Sequence, residues 1–562
     1  MTPPLARGAA AVLDARPRLA AAVAIAATAL ALARWSHVDR PGFVLGWVAL
    51  APWLLVLDRV QSLRTALLAG WAMSVAFVLA VFGWFAVAIH GYTGLPVALA
   101  YALLAVGAPL LEPQFLALAA VRHLARPGEH DPSGFFLRAA AAAGAYVGAE
   151  WAWPKLLGDT IGYGFFAAPL LVQAADAVGA PGLTFVLLLG NECLLRAGRD
   201  VLVRRRARHA LAPLACVALL LGALLVYGTV RLRQLARRDA QPVAVAAIQA
   251  GYGQYARLAE ELGTLGAVRT VLDAHFALSR DALARAPLAL LVWPETVYPT
   301  TFGAPKSADG AALDREIATF VALSDVPLVF GAYDADGGEE FNAALLLERD
   351  AGGLASFDAY RKARLFPLTE RVPELLDAAW VRRLLPWLGT WRPGESASVL
   401  QLGTARGRPL RIAPLICYDA VDPQLARAAV LAGAELLVTI SNDAWFASGD
   451  GPRQHFVVSA FRGIETRTPQ VRATTTGISA VLDATGRTVA VADVGERAAL
   501  VASVAPRSGG STLQLLWGDW FGAAGLGLAA CLLPLARRRA ASPSRPRRGG
   551  RSEPRLPSHR GR

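Results

Sequence analysis

The chain has 562 residues, of which 55% are hydrophobic, and a formal net charge of +13. This composition excludes a wholly soluble protein, since globular chains are less apolar and rarely gather apolar residues into runs of membrane-spanning length. The arginines lie between those runs and in the tail, which favours a membrane-topology signal over a nucleic-acid-binding surface.

Eight apolar runs predict transmembrane helices. A hydrocarbon core of about 30 Å requires about 20 apolar residues in a helix, and the second and fifth runs are short by that standard. The runs lie near residues 18–34, 43–57, 65–89, 95–120, 136–153, 180–196, 209–230 and 513–535. We predict a membrane domain of about seven helices over 18–230 and a C-terminal transmembrane helix over 513–535.

Basic residues set the predicted orientation. Arginine clusters lie in four segments: 1–17, 122–138, 196–208 and the disordered-type tail 537–562. Cytoplasmic loops are enriched in arginine, so an even number of spans puts all four in the cytoplasm and region 240–506 in the periplasm of an inner-membrane protein. The arginines within 231–238 do not fit this orientation, because they follow the seventh span on the periplasmic side. We expect them to lie at lipid headgroups. A cleaved signal peptide over the first run is the alternative for the N-terminus.

Region 240–506 alternates short apolar runs with stretches of helical character. Predicted strands are Val243–Gln249, Leu288–Trp293, Pro327–Tyr333, Ala343–Leu347, Arg411–Ile416, Leu436–Ser441, Val471–Thr475 and Ala480–Leu482. Predicted helices are 254–284, 310–324 and 421–432. Apolar strands that alternate with helices are typical of a layered α/β domain.

Glu295 follows an apolar predicted strand that ends in the pair Trp293-Pro294. The proline ends the strand and leaves the carboxylate at its mouth, where α/β active sites usually form. Burial there can raise the pKa of the carboxylate and make it a general base. The alternative is an ordinary loop glutamate.

Lys362 is one of only three lysines, the others being Lys155 and Lys306, in a chain with more than fifty arginines. It lies between Arg361 and Arg364 in a chain that otherwise uses arginine for positive charge, which indicates that this position requires the properties of lysine. An ammonium is a compact point charge whose pKa shifts readily. The alternative is chance on a solvated surface.

Cys417 is the only cysteine of region 240–506; the others are Cys193, Cys216 and Cys531. It ends an apolar strand, and a helix is predicted to begin near Asp422, which is a setting typical of nucleophiles. Following amides would then form an oxyanion hole, and the helix N-terminus would favour the thiolate. The alternatives are a buried hydrophobe and a Cys–His pair, although His275 and His455 are better explained as structural. No cofactor or metal motif stands out, and none is expected.

The order Glu, Lys, Cys resembles the nitrilase superfamily of carbon–nitrogen hydrolases, and the whole chain is similar to the apolipoprotein N-acyltransferase family. The matching motifs are 292–295, 360–362, 417–418, 441–446, 451–455, 472–473 and 477–479. The resemblance implies an αββα nitrilase-like domain between the seventh and eighth membrane helices. It also implies that Glu295, Lys362 and Cys417 form the catalytic triad.

Some positions depart from that family's pattern. Glu370 corresponds to a further family glutamate, although its segment 367–370 lacks the usual phenylalanine and glycine. Asp419 replaces a glutamate, threonines at 474–476 replace an asparagine-rich stretch, and 157–160 replaces an aromatic loop. The triad is kept, so the departures bear on substrate fit and lid contacts.

The resemblance implies a two-step acyl transfer. Cys417 takes an acyl chain from a phospholipid, with Glu295 as base and Lys362 and the Tyr418 amide at the oxyanion. The thioester then passes the chain to the α-amino group of a diacylglyceryl apolipoprotein. The apolar segment 378–388, with Trp380 and Trp387, is expected to dip into lipid or to pack in the core. The rival functions are a membrane-tethered amidase and a non-catalytic lipid- or lipoprotein-binding relative.

Overall fold

The computed structural model describes most of the chain. The described residues are 16–35, 44–126, 132–156, 158–237, 241–253, 255–350, 353, 355–372, 377–385, 387–403, 409–446 and 449–541. The predicted cytoplasmic N-terminus up to residue 15 and the predicted basic tail from residue 542 lie outside these ranges.

The first part of the chain is helical. Its leucine- and alanine-rich segments have high helix propensity, and prolines and glycines mark several of their ends. The helices are α1 (Pro17–Trp35), α2 (Ala51–Arg59), α3 (Leu63–Val81), α4 (Gly83–Thr93), α5 (Val97–Leu111), α6 (Gln114–Leu124), α7 (Pro132–Ala152), α8 (Ala175–Gly198) and α9 (Ala207–Ala236).

Two six-stranded sheets follow. The first has the order β12-β1-β2-β3-β4-β5 and the second β11-β10-β9-β8-β7-β6. The strands are β1 (Val243–Gln249), β2 (Leu290–Val292), β3 (Leu328–Asp336), β4 (Glu339–Arg349), β5 (Ala355–Arg361), β6 (Leu400–Leu402), β7 (Leu410–Ile416), β8 (Leu436–Ser441), β9 (Gln470–Thr474), β10 (Ser479–Leu482), β11 (Thr488–Ala492) and β12 (Ala498–Val504). β1 to β3 run parallel, as do β7 to β9, and β12 pairs antiparallel with β1.

The two sheets pack face to face, and helices cover their outer faces. The helices of this domain are α10 (Tyr255–Arg285), α11 (Ala308–Ser324), α12 (Ala379–Leu384), α13 (Pro423–Leu431) and α14 (Asp450–Thr466). One apolar core lies between the sheets, a second joins the first sheet to α10 and α11, and a third joins the second sheet to α13. α14 packs in one cluster with the membrane helices. The expected αββα sandwich is therefore present.

Two helices end the described chain, α15 (Leu513–Trp517) and α16 (Trp520–Ala541). Among the described residues, five helical segments are long and apolar enough to cross a membrane, and the pair α5–α6, bent by 50°, makes up to six. These coincide with six of the eight predicted spans. Over the predicted span 43–57 the structure has a 3₁₀ turn at Leu45–Trp47 followed by α2, which has nine residues. The span 136–153 corresponds to α7, which has 21 residues but carries Arg138 and Glu150.

Most predicted strands are confirmed within a few residues, but several elements were missed. β5, β6, β11, β12 and α14 had no prediction. The predicted helix 421–432 is shorter, because Cys417–Val421 forms a 3₁₀ turn and α13 begins at Pro423. Asp422 caps α13 by accepting a 2.8 Å hydrogen bond from the Gln424 amide.

Candidate active site

Glu295 is buried at the end of β2. Trp293 anchors this end, since its indole donates a 2.9 Å hydrogen bond to Ser279, and Pro294 ends the strand. The neighbouring strand β3 approaches so closely that a Cβ at Gly331 would overlap the backbone of Glu295 and Thr296. This approach fixes the position of the carboxylate, which is only 4% exposed.

Three donors surround the Glu295 carboxylate. Oε1 accepts hydrogen bonds from Asn342 Nδ2 at 2.7 Å and from Lys362 Nζ at 3.2 Å. Oε2 accepts one from the Asn442 amide at 2.7 Å. Asn342 belongs to the first sheet and Asn442 follows β8 of the second, so the carboxylate joins the two sheets.

Lys362 comes directly after β5 and places its ammonium between two carboxylates. Nζ lies 2.7 Å from Glu370 Oε1, and Glu370 Oε2 accepts a 2.6 Å hydrogen bond from the Phe366 amide. Burial disfavours the ammonium, but Glu295 and Glu370 outweigh that effect and raise the pKa of Lys362 well above its ordinary value. Lys362 is therefore a fixed cation here rather than a proton donor.

Cys417 begins the 3₁₀ turn after β7 with a φ of +49°, which is strained for a residue with a side chain. Asp419, fully buried, holds this turn: it accepts hydrogen bonds from the Ile416 amide and the Tyr360 hydroxyl, both at 2.9 Å, and from the Arg364 amide at 2.7 Å. Burial raises the pKa of Asp419 to about 6. Asp419 thus supports the turn through three hydrogen bonds.

The expected stabilisation of the Cys417 thiolate by the following helix is wrong for this structure. Burial raises the pKa of the thiol above its ordinary value, the charge of Glu295 raises it further, and Lys362 only partly opposes both. The following turn has only five residues, so its dipole is weak. The neutral thiol is the resting form, and a base must remove its proton.

The raised pKa predicts slow alkylation of Cys417 at neutral pH. We expect its rate with iodoacetamide to rise about tenfold per pH unit from about pH 7 to 9 without a plateau, because only the thiolate reacts. Mass spectrometry of the peptide that contains Cys417 measures this rate separately from the other three cysteines. A plateau below about pH 8 in the wild type would contradict the raised pKa.

His455 supports the backbone of Cys417 rather than its thiol. Its Nε2 lies 3.2 Å from the Cys417 carbonyl oxygen, and its Nδ1 lies 3.1 Å from Asp443 Oδ1. Arg472 donates a 2.9 Å hydrogen bond to Asp443 Oδ2. Burial opposes the charge of Asp443, but Arg472 and His455 outweigh it and hold the pKa of that carboxyl below its ordinary range. The structural interpretation of His455 is therefore confirmed.

Two other predicted side chains are held by contacts of their own. His275 is buried beside Trp293, with Nδ1 2.7 Å from the Val271 carbonyl oxygen, so it too is structural. Tyr418 packs against Phe366, and burial raises the pKa of its hydroxyl to about 12. Within the described residues no group of histidine, cysteine and acidic side chains could hold a metal ion.

Two small adjoining cavities, of about 40 and 60 Å³, lead from Cys417 toward the membrane helices. Phe82 and Trp84 line the cavity at the thiol from the membrane side, and Trp445 and Phe446 line it from the loop after β8. The second cavity continues between the membrane helices and α14, past Leu32 and Phe77. The space next to the thiol is therefore mostly apolar and formed by both parts of the protein.

Comparison with known proteins agrees with both parts of the structure. Residues 20–193 match the N-terminal domain of apolipoprotein N-acyltransferases, and residues 230–512 match the carbon–nitrogen hydrolase family. The apolipoprotein N-acyltransferase of Geobacter metallireducens is 31% identical over 88% of this chain and 91% of its own length. This chain belongs to the apolipoprotein N-acyltransferase family.

Further comparisons cover most of the chain in one case and about half of it in another. The apolipoprotein N-acyltransferase of Bdellovibrio bacteriovorus is 28% identical over 80% of this chain and 82% of its own length. Among solved structures, Saccharomyces cerevisiae Nit3 of the nitrilase superfamily matches 47% of this chain and 91% of its own, with 17% identity and a TM-score of 0.34. As an apolipoprotein N-acyltransferase family member, the chain is an integral membrane protein with a nitrilase-like domain.

The sequence did not predict the two asparagines on Glu295. Asn342 lies in β4, in a segment that matched no motif of the family, whereas Asn442 lies in the segment 441–446 that carried the resemblance. Of the two tryptophans expected to dip into lipid or pack in the core, Trp380 is 62% exposed, which excludes core packing for it. Trp387 packs on Tyr92 of α4 with ring centres 5.8 Å apart.

Proposed function

We propose that this protein transfers an acyl chain from a membrane phospholipid to the α-amino group of the N-terminal diacylglyceryl-cysteine of lipoproteins. The observation that carries the proposal is the apolar cavity shared by Cys417 and the membrane helices. A soluble amide needs no such cavity, whereas an acyl chain gains about 0.8 kcal/mol for each methylene buried in it. The names of the relatives support the same activity.

The proposed first step forms a thioester. Glu295 takes the proton of the Cys417 thiol, and the sulfur attacks the ester carbonyl carbon of the phospholipid. Lys362 and the Tyr418 amide stabilise the oxyanion. The carbon–oxygen bond breaks, and lysophospholipid leaves with the proton that Glu295 returns. Glu370 holds the ammonium of Lys362 in place throughout.

The proposed second step forms the amide. The neutral α-amine of the acceptor attacks the thioester carbonyl carbon, and Glu295 takes one of its protons. The carbon–sulfur bond breaks, the amide product forms, and the thiol of Cys417 regains its proton. The arginine clusters at 1–17, 122–138, 196–208 and 537–562 are typical of cytoplasmic segments, which supports placing this chemistry on the opposite, periplasmic face of the inner membrane. A tag after residue 541 that external protease digests in intact spheroplasts would contradict that orientation.

Mass spectrometry tests the proposal directly. The purified protein is incubated with phosphatidylglycerol of defined acyl chains, and the Cys417 peptide is expected to gain the mass of one chain. Adding a diacylglyceryl-cysteinyl peptide is expected to remove this adduct and to yield the N-acylated peptide. Cys417→Ala gives the background. Hydrolysis of small amides without a lipid adduct would favour the amidase instead, and complementation by Cys417→Ala would favour a non-catalytic role.

A further inference from the structure

The loop after α7 brings an acidic residue to the cavity at Cys417. A Cβ at Gly158, which has a φ of +60°, would overlap the side chain of Val421 at the end of the 3₁₀ turn that begins with Cys417. The Tyr418 hydroxyl donates a 2.7 Å hydrogen bond to the Leu156 carbonyl. The loop is thus packed directly on the turn that begins with Cys417, and Asp159 follows in the wall of both cavities.

Asp159 differs from the other residues around it. Among the described residues that line the two cavities, it is the only one with a carboxylate, and most of the others are aromatic or aliphatic. A carboxylate in an apolar wall loses hydration, so it is retained only with a partner. Its nearest partner is Lys155, whose Nζ lies 3.2 Å from Asp159 Oδ1.

Asp159 is not the only carboxyl group that Lys155 contacts. The same ammonium lies 3.4 Å from Glu112 Oε2 and 3.4 Å from Glu150 Oε1. One ammonium therefore contacts three carboxyl groups at once and is not available to Asp159 alone. Glu112 and Glu150 are buried behind the wall, whereas Asp159 lines the cavity, so a cation that enters the cavity meets Asp159 first.

We propose that Asp159 binds a primary ammonium group of a substrate beside Cys417. This assignment rests on the proposed function, in which two substrates can carry such a group. One is the ethanolamine headgroup of the phospholipid donor, and the other is the N-terminus of the acceptor before it loses a proton. Both present three N–H donors on one positive charge, which a single carboxylate can accept in an apolar cavity.

Single-turnover kinetics of Asp159→Asn distinguishes the two sources. Acylation of Cys417 is measured from phosphatidylethanolamine and from phosphatidylglycerol with the same acyl chains. Transfer to a diacylglyceryl-cysteinyl peptide is then measured from enzyme acylated with phosphatidylglycerol. Loss of a charged hydrogen bond predicts an effect of about tenfold. Slower acylation from phosphatidylethanolamine alone assigns the headgroup, and a higher half-saturating peptide concentration alone assigns the acceptor.

Control variants keep the test decisive. Asp273→Asn removes one carboxylate from the exposed face of α10, away from both cavities, and it is expected to match the wild type in all three measurements. Asp159→Glu is expected to restore most of the affected step. Wild-type behaviour of Asp159→Asn in all three, or an equal fall in all three, would overturn the ammonium site. Failure of wild-type enzyme to form an adduct from either phospholipid would instead contradict the proposed function.

Discussion

Exchange of Glu295 for glutamine is expected to slow thioester formation on Cys417 by about 10²- to 10⁴-fold, the usual contribution of a general base. Glutamine keeps the shape of the side chain but cannot take the thiol proton. The raised pKa of Cys417 makes that transfer necessary, because little thiolate exists without it. The rate is read as the adduct mass on the Cys417 peptide after single-turnover mixing with phosphatidylglycerol.

Glu370→Gln is the matched control for Glu295→Gln. It removes the other carboxylate on Lys362 while the Lys362–Glu295 contact stays in place. We expect a loss of about tenfold, since it weakens one charged hydrogen bond that positions the ammonium. If Glu295→Gln formed the adduct at half the wild-type rate or faster, Glu295 would not be the base.

Asp443→Asn is expected to cause the largest loss of stability, about 3–5 kcal/mol in the free energy of unfolding. Asp443 and Arg472 form an ion pair in which both side chains are fully buried, so the substitution leaves an uncompensated guanidinium in the core. It also weakens the hydrogen bond that orients His455 toward the Cys417 carbonyl. Thermal unfolding in detergent, followed by tryptophan fluorescence, should show a midpoint lower by roughly 5–15 °C.

The control for the buried pair is Asp273→Asn. Asp273 and Arg269 lie one turn apart on α10, and both side chains are about half exposed. Such a pair contributes less than about 0.5 kcal/mol, so its loss is expected to leave the midpoint within about 2 °C of the wild type. Equal midpoints for Asp273→Asn and Asp443→Asn would contradict the role given to the buried pair.

The sequence predicted the fold best where burial is uniform along an element. β2, β7 and β8 are buried along nearly their whole length, and each appears as a continuous apolar run. β5 was missed because it is an edge strand with exposed residues at its centre. α14 was missed for the opposite reason. It is buried almost throughout, yet it contains Arg462, Glu465 and other polar residues that pair inside the protein.

The three predicted site residues lie close together, but their partners were harder to predict. Glu295 and Cys417 each follow an apolar strand that a single chain segment reveals, whereas Lys362 was identified by the scarcity of lysine in the chain. Asn342 and Asn442 reach Glu295 only because two sheets meet, and no local pattern encodes that contact. The size of the burial effect on the Cys417 thiol was also not predictable, since it depends on burial and on charges from the other sheet.

The pairing of β1 with β12 has a consequence for how such a protein is assembled. Val243 and Val504 are cross-strand partners, so the polypeptide enters and leaves the sandwich at adjacent points. α9 ends shortly before one point and α15 begins shortly after the other. A domain whose ends adjoin can be inserted into another protein without displacing its neighbours. The sandwich has the form of such an insertion between α9 and α15.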